Sequence, residues 1–393
     1  LERYIKEAID MKKVLNYGMV GGGPDGFIGD AHRRAINLDG KAKIVAGCFS
    51  RTKEKNELMG KELGICEDRC YESALDMAQS ESNKEDGIDF VVIVTPNNSH
   101  YEICKAFLEA GINVSCDKPV TVTSKEAMEL ESLAKEKNLL FMVTYTYMGH
   151  VTAKHIKEII KSGEIGEVRT VMAEYPQGWL AHENDCGGKQ GEWRCDPQQS
   201  GNVNCLGDLG THVENAVATM TGLKIKKVLA KMDTVVPGRK LDDNDMVLVE
   251  YENGATGMYW TSQIAIGHDN GLRVRIYGSK GSVQWFQETP EKVIIIKEDG
   301  SINEVHRGYR VIGESVAKYE RLPSGHSEGW LEAMANLYLS FMECIKAKKD
   351  NTFDECMIDY PTITDGFEGI LFVEACLKSS ENGNVWIDLK NLK

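Results

Sequence analysis

The chain has 393 residues, too many for one hydrophobic core and suited to two domains. Forty-two per cent is apolar and 27% charged, an ordinary globular balance that excludes wholesale disorder. Sixty acidic residues against 46 basic ones leave a net charge of −14, which repels phosphate backbones and anionic lipid, so neither nucleic acid nor membrane is an expected partner.

The N-terminal LERYIKEAID is charged and amphipathic, without the apolar centre of a secretory signal, and a cytoplasmic location is expected. From Lys12 onward, strand-like and helix-like stretches alternate. KVLNYGMVGGG, KIVAGCFS, FVVIVTP, INVSCDKP and LLFMVTYTY read as short buried strands. IGDAHRRAINL, TKEKNELMGKELG, YEICKAFLEAG and SKEAMELESLAKEKN read as the helices between them. Apolar strands alternating with helices predict a doubly wound parallel sheet covered on both faces, an α/β domain over 12–147.

Beyond Tyr147 the rhythm changes, and 148–393 reads as an α+β domain. TAKHIKEIIKSG predicts a helix, EVRTVMAEYP a strand, and 177–207 a loop rich in Gly, Trp and polar residues. Six further strand candidates, from KKVLAKMDTVV to KVIIIKEDG, are punctuated by Asn-Gly, Gly-Ser and Asp-Gly, the marks of a largely antiparallel sheet. A long amphipathic helix near 326–348 is expected to pack back toward the first domain.

The eleven cysteines are scattered and never spaced C-x-x-C, which reads as free thiols in a reducing compartment. His182, Cys186, Cys195, Cys205 and His212 raise the question of zinc, but their spacings match no tight ligand pattern, and no metal is expected.

Five stretches carry chemistry. Gly21 and Gly23 sit where the first strand turns into a helix, as in loops that bring backbone close to a pyrophosphate. Pro24-Asp25-Gly26-Phe27 lengthens that loop before Ile28-Gly29, and Phe27 and Ile28 open the helix; a plain tight turn is the bland alternative. The second strand ends Phe49-Ser50-Arg51 rather than in an acid. A hydroxyl and a guanidinium suit a 2′-phosphate, so NAD or NADP is expected with a lean to NADP, although an Arg here is often only a solvated charge. Thr95-Pro96-Asn97 and His100 follow the third strand, where open α/β sheets bind ligands. Asp117-Lys118-Pro119 follows the fourth, with Lys118 biased toward extended backbone by the proline. In GDLGTH, a helix starting near Asp208 places Asp208 and His212 on one face; in the bland reading Asp208 caps and His212 packs.

The order of glycine loop, TPNxxH, DKP and GDxGxH resembles the Gfo/Idh/MocA oxidoreductases, and the resemblance runs from Lys12 onward. It implies a Rossmann domain, an open-faced sheet domain, action on sugars or cyclitols, and a homodimer or homotetramer. It further implies that Lys118, Asp208 and His212 are catalytic, that Asp117 stands where Glu is commoner, and that Thr95, Pro96, Asn97 and His100 line the nicotinamide side. WRCDPQQSGNVNCLGDLGTH, SQIAIGHDNGLRVRIYG and SGHSEGWLEAMANLY resemble a glycoside-oxidising branch. Imidazole is an efficient proton acceptor at neutral pH, which suits His212 as acid/base, and Lys118 is suited to polarising the reacting oxygen. Tyr145, Gln177, Trp179, Trp193, Arg194, His268 and His326 are candidates for the sugar pocket, although each alone reads as structural. Alternatives are a zinc dehydrogenase, a non-catalytic NADP sensor, and transient sugar oxidation by a retained cofactor in glycoside cleavage or elimination.

Overall fold

The computed structural model of the protein describes residues 14–24 and 26–392. The N-terminal segment and Asp25 of the lengthened glycine loop lie outside the described residues. Two compact units divide the chain.

The first holds the described residues up to Thr121, with 125–146 and 334–364. Its strands are β1 (Leu15–Gly21), β2 (Ala42–Cys48), β3 (Phe90–Val94), β4 (Asn113–Cys116) and β5 (Phe141–Val143), all parallel in the order β2-β1-β3-β4-β5. Every residue of β3 is buried, as a central strand covered on both faces requires. The helices are α1 (Phe27–Asn37), α2 (Lys53–Glu62), α3 (Ala74–Ser82), α4 (His100–Glu109) and α5 (Ser124–Glu136). Sequence reading misses α3, whose start is nonetheless marked by Ser73 accepting from the Asp76 amide at 3.1 Å. The register sets Gly21 beside Val94 and Ile93 beside Cys116, so the loops after β1, β3 and β4 emerge level at one edge. The later segment completes this core: the Phe341 ring meets Phe90 edge-on at 5.6 Å, and the Tyr338 hydroxyl lies 2.6 Å from His32 Nδ1.

The second unit holds 122–124, 147–333 and 365–393. Its nine-stranded sheet runs β13-β12-β11-β10-β6-β9-β8-β7-β14, from β6 (Val168–Pro176) through β7 (Ile225–Asp233), β8 (Asn244–Tyr251), β9 (Thr256–Ser262), β10 (Arg273–Gly278), β11 (Gly281–Phe286), β12 (Lys292–Lys297) and β13 (Ile302–His306) to β14 (Ile387–Asp388). The sheet is antiparallel except where β6 and β9 run parallel. Among the described residues, no helix is long and apolar enough to cross a membrane.

Burial alternates along β8 and β9, and the middle of the outward face is apolar: Met246, Leu248 and Met258 are 53%, 46% and 42% exposed, with Leu248 and Met258 cross-strand partners. An exposed apolar sheet face of this kind marks an interaction surface, and the expected occupant is a second copy of the chain. Light scattering at micromolar concentration is therefore expected to give a dimer or tetramer mass, and Leu248→Lys with Met258→Glu to lower it. A monomer mass for the unaltered protein refutes the expectation.

Candidate active site

The glycine loop is shaped by close approach. Gly21 has φ +86°, and a Cβ there would stand 2.9 Å from the Val94 carbonyl oxygen. A Cβ on Gly29 would stand 2.3 Å from Gly22 Cα, so only glycine lets α1 sit this near β1. Between them Gly26 N–H closes the loop onto the Gly23 carbonyl at 2.9 Å. Gly26, at the cap position, leaves the start of α1 without a side-chain cap, and Phe27 is 68% exposed with Ile28 half-buried beside it. A backbone cradle that a Cβ would fill, at the start of a helix, fits a dinucleotide pyrophosphate. At the end of β2, Ser50 Oγ accepts from the Thr52 amide at 3.1 Å and Arg51 is exposed.

His100 is buried between two of these loops. Its ring is 1% exposed, with Nδ1 2.9 Å from the Pro119 carbonyl and Nε2 2.8 Å from the Thr95 carbonyl. The ring therefore lies between the loop after β3 and the loop after β4, and in its neutral form donates to one of the two carbonyls. Burial pushes its pKa down, against the pull of the Asp117 carboxylate. Asp117 accepts from the Lys118 amide and from the Thr144 hydroxyl, each at 2.9 Å, which fixes the backbone carrying the half-buried Lys118. The Lys118–Pro119 peptide is cis. Thr95 and Asn97 flank this ring, Pro96 is exposed, and Tyr145 is buried beyond β5.

In the second unit, GDLGTH is not a helix start. The chain is already helical at Cys205, makes a π-helical turn over Leu206–Gly210, and continues into a regular helix over Thr211–Thr221. Asp208 therefore does not cap this helix; the acceptor for its first amides is Asp242, from a distant loop. Asp208 instead turns its carboxylate to Arg194 Nε at 3.0 Å and Gln263 Nε2 at 3.2 Å, with 14% of its side chain exposed. Such π turns recur at functional sites because the extra residue re-aims side chains. His212 is 7% exposed and lies against the Tyr147 ring at 4.8 Å and the Tyr175 ring at 5.9 Å.

The polar groups around it are linked. Tyr175 donates to Asn270 Oδ1, as does Gln177 Nε2 at 3.0 Å, and Trp179 Nε1 donates to Gln177 Oε1 at 2.8 Å. Asn270 Nδ2 donates to the Tyr147 oxygen at 3.2 Å. Burial raises the pKa of both tyrosines, so the phenols remain donors at neutral pH. The Arg194 guanidinium lies 4.2 Å from the Trp193 ring and 5.7 Å from Trp179, making an aromatic shelf beside Asp208. Of the residues expected to meet sugar, Gln177, Trp179, Trp193 and Arg194 thus gather with Asp208. His268 is exposed, edge-on to Trp260, and His326 is exposed with its carbonyl taken by Arg307. Tyr147 and Tyr175 carry no sequence signal and enter only through the fold, while Gln263 and Asn270 fall in the stretch SQIAIGHDNGLRVRIYG without a role assigned to either.

The cysteine reading needs correction. Cys186 and Cys195 form a disulfide, with Cα atoms 6.1 Å apart across the short helix Lys189–Arg194, while the other nine cysteines are free. That helix folds the chain back far enough to bring two distant thiols within bonding range. Cys205 lies elsewhere, within 4.8 Å of Asp242 and Asp245, so the Cys/His set weighed for zinc is dispersed.

A glycine cradle on a parallel sheet, with a second unit carrying Asp208 and His212 on one turn, marks a dinucleotide-dependent oxidoreductase. Residues 15–145 match the model described as oxidoreductase family, NAD-binding Rossmann fold, and 153–284 match the GFO/IDH/MocA C-terminal domain. The chain is 38% identical over 387 residues to an uncharacterized oxidoreductase of Bacillus subtilis, covering 97% of this chain and 98% of that one. An inositol dehydrogenase homolog from Azotobacter vinelandii, solved with NAD+, superposes with TM-score 0.92 at 33% identity over 96% of this chain and 97% of its own. Its complex with NADH and myo-inositol gives 0.88 at 32%, over 96% and 98%. The chain belongs to the Gfo/Idh/MocA oxidoreductase family.

Arg194 both neutralises Asp208 and stacks on tryptophan, a double task that lysine cannot copy. Arg194→Lys and Arg194→Ala are each expected to lower kcat/KM by about tenfold or more while cofactor affinity holds. Steady-state kinetics beside a fluorescence titration of cofactor check this. Unchanged kcat/KM in Arg194→Ala would show the pair to be incidental.

Proposed function

We propose that this oxidoreductase moves a hydride between a nicotinamide dinucleotide and a secondary hydroxyl of a sugar, glycoside or cyclitol. The observation that carries the reading is Asp208, a carboxylate held by Arg194 and Gln263, one turn from a buried imidazole and beside a tryptophan shelf. The Azotobacter homolog, solved with NADH and myo-inositol, supports the substrate class.

When bound, the nicotinamide exchanges hydride with the substrate carbon. The chain handles the oxygen and its proton. His212 takes the hydroxyl proton, its ring walled by Tyr147 and Tyr175, which keep it oriented. Lys118, on a backbone braced by Asp117, stabilises the developing alkoxide. Asp208, its charge offset by Arg194, accepts from a neighbouring hydroxyl, and Trp179 offers a flat face to ring C–H groups. Ser50 and Arg51, in place of an acid after β2, admit a 2′-phosphate, so NADP is proposed beside NAD.

Titration with NAD and NADP, followed by turnover on myo-inositol and a glycoside panel, tests the reading; binding of neither nucleotide sinks it. Lys118→Ala and His212→Ala are each expected to cut kcat by ~10²–10⁴ without loss of cofactor affinity, and the double variant by less than the product. Full turnover by a folded His212→Ala protein would remove the imidazole from the mechanism. For cofactor choice, Arg51→Ala is expected to weaken NADP about tenfold and leave NAD unchanged. Equal effects on both would show that Arg51 does not read the phosphate.

A further inference from the structure

The proposed chemistry needs Asp208 and His212 held still, and both ride on a helical run whose first amides have no acceptor within the run. Cys205, which precedes the π turn, makes no side-chain cap. The acceptor arrives from just ahead of β8. Asp242 places Oδ1 2.6 Å from the Asn204 amide and Oδ2 2.6 Å from the Leu206 amide, and its carbonyl accepts from the Cys205 amide at 3.2 Å. One residue thus takes three successive N–H groups. A second route joins the same segment to the functional carboxylate: Asn204 Nδ2 donates to Gln263 Oε1 at 2.7 Å, and Gln263 Nε2 donates to Asp208.

Beside Asp242 lies another carboxyl. Asp245, fully buried in β8, accepts from the Thr261 hydroxyl at 3.0 Å, and its Oδ1 has no hydrogen-bond partner. One ligand atom from each of Asp242, Asp245 and Cys205 falls within 4.8 Å of the other two. That composition is one a metal could use, and each Asp242 oxygen already accepts one backbone amide. Two carboxyls this close in a dry interior do not both ionise at neutral pH. Hydrogen bonds decide which does. The paired backbone amides favour the Asp242 anion, whereas Asp245 is met only by weaker side-chain donors, the Thr261 hydroxyl and the Cys205 thiol. Burial, then the Asp242 charge, push the Asp245 carboxyl well above its ordinary range. Burial also raises Asp242, while the Leu206 and Asn204 amides pull it back. The thiols facing the pair, Cys205 and Cys376, are pushed up by burial and stay neutral.

We propose that Asp242 is a positioning residue for the reaction: a buried anion that caps the π turn from outside the helix and sets where Asp208 and His212 stand, with the adjacent proton carried by Asp245. The proposal rests on the dehydrogenase reading for its kinetic consequence, and on geometry alone for its structural one.

The test compares two isosteric variants of the full-length protein, Asp242→Asn and Asp245→Asn. Hydrogen exchange at the amides of 204–206 is measured with infrared spectra of the carboxyl region and with turnover of myo-inositol by NAD+. Asp242→Asn is expected to speed exchange and to lower kcat by roughly 10- to 100-fold, with the Kd for NAD+ held within about twofold. Asp245→Asn, which imitates a neutral acid, is expected to keep exchange and turnover, and to erase a protonated-carboxyl band that the unaltered protein shows at pH 7. Equal losses in the two variants, or full protection and turnover in Asp242→Asn, overturn the proposal. So does the absence of that band from the unaltered protein, a measurement that needs no variant to fold. If the unaltered protein leaves myo-inositol untouched, that substrate fails, while exchange and infrared spectra still decide the role of Asp242.

Discussion

The ion pair between Arg194 and Asp208 is the contact on which the arrangement of the second unit's polar residues depends. A carboxylate that is only 14% exposed is poorly solvated, and it must find partners or take up a proton. Arg194 supplies a cation and Gln263 a neutral donor, and each is placed by something else. The guanidinium lies over the Trp193 ring and near that of Trp179. Gln263 is held from behind by Asn204, at the foot of the same helical run. The carboxylate therefore sits at the meeting point of a loop, a strand end and a π turn. None of these three would hold it alone.

The first unit solves a different problem by different means. A dinucleotide is large and anionic, and the chain has a surplus of negative charge, so attraction by net charge is not available to it. Backbone dipoles and close approach take that place. The positive φ at Gly21 and the tight contact at Gly29 set amide groups at the sheet edge, where the loops after β3 and β4 also emerge. The buried His100 ring lies between those two loops.

Most of the first unit is legible in the sequence, because its five strands and every helix of α1 to α5 except α3 declare themselves locally. FVVIV has no polar position to spare, and the glycines of GGGPDGFIG mark the turn. The ends of the strands, and the motifs on them, came out in the same way. The site in the second unit was readable only in part. Spacing singles out Asp208 and His212, but it starts their helix near Asp208, whereas the chain is helical from Cys205. The reason is physical: the acceptor that lets the helix begin earlier is Asp242, 38 residues from Asn204, and no local pattern reports it. Tyr175 and Asn270 are 95 residues apart and meet only because β6 and β10 are neighbours. The pairing of Cys186 with Cys195 was hidden for a related reason, since composition spoke for free thiols and only the folded loop brings the two together.

That covalent link has a consequence for how the second unit can fail. The helix bearing Trp193 and Arg194 spans six residues, Lys189–Arg194, too few to persist on its own hydrogen bonds. The Cys186–Cys195 bond supplies what length does not, closing the loop at a point adjacent to Arg194. A small thiol that opens the bond would loosen the guanidinium's anchorage and leave the glycine cradle of the first unit untouched. Grip on the nucleotide and grip on Asp208 thus answer to different chemistry: one is built from backbone that no reductant reaches, and the other is moored by two sulfur atoms.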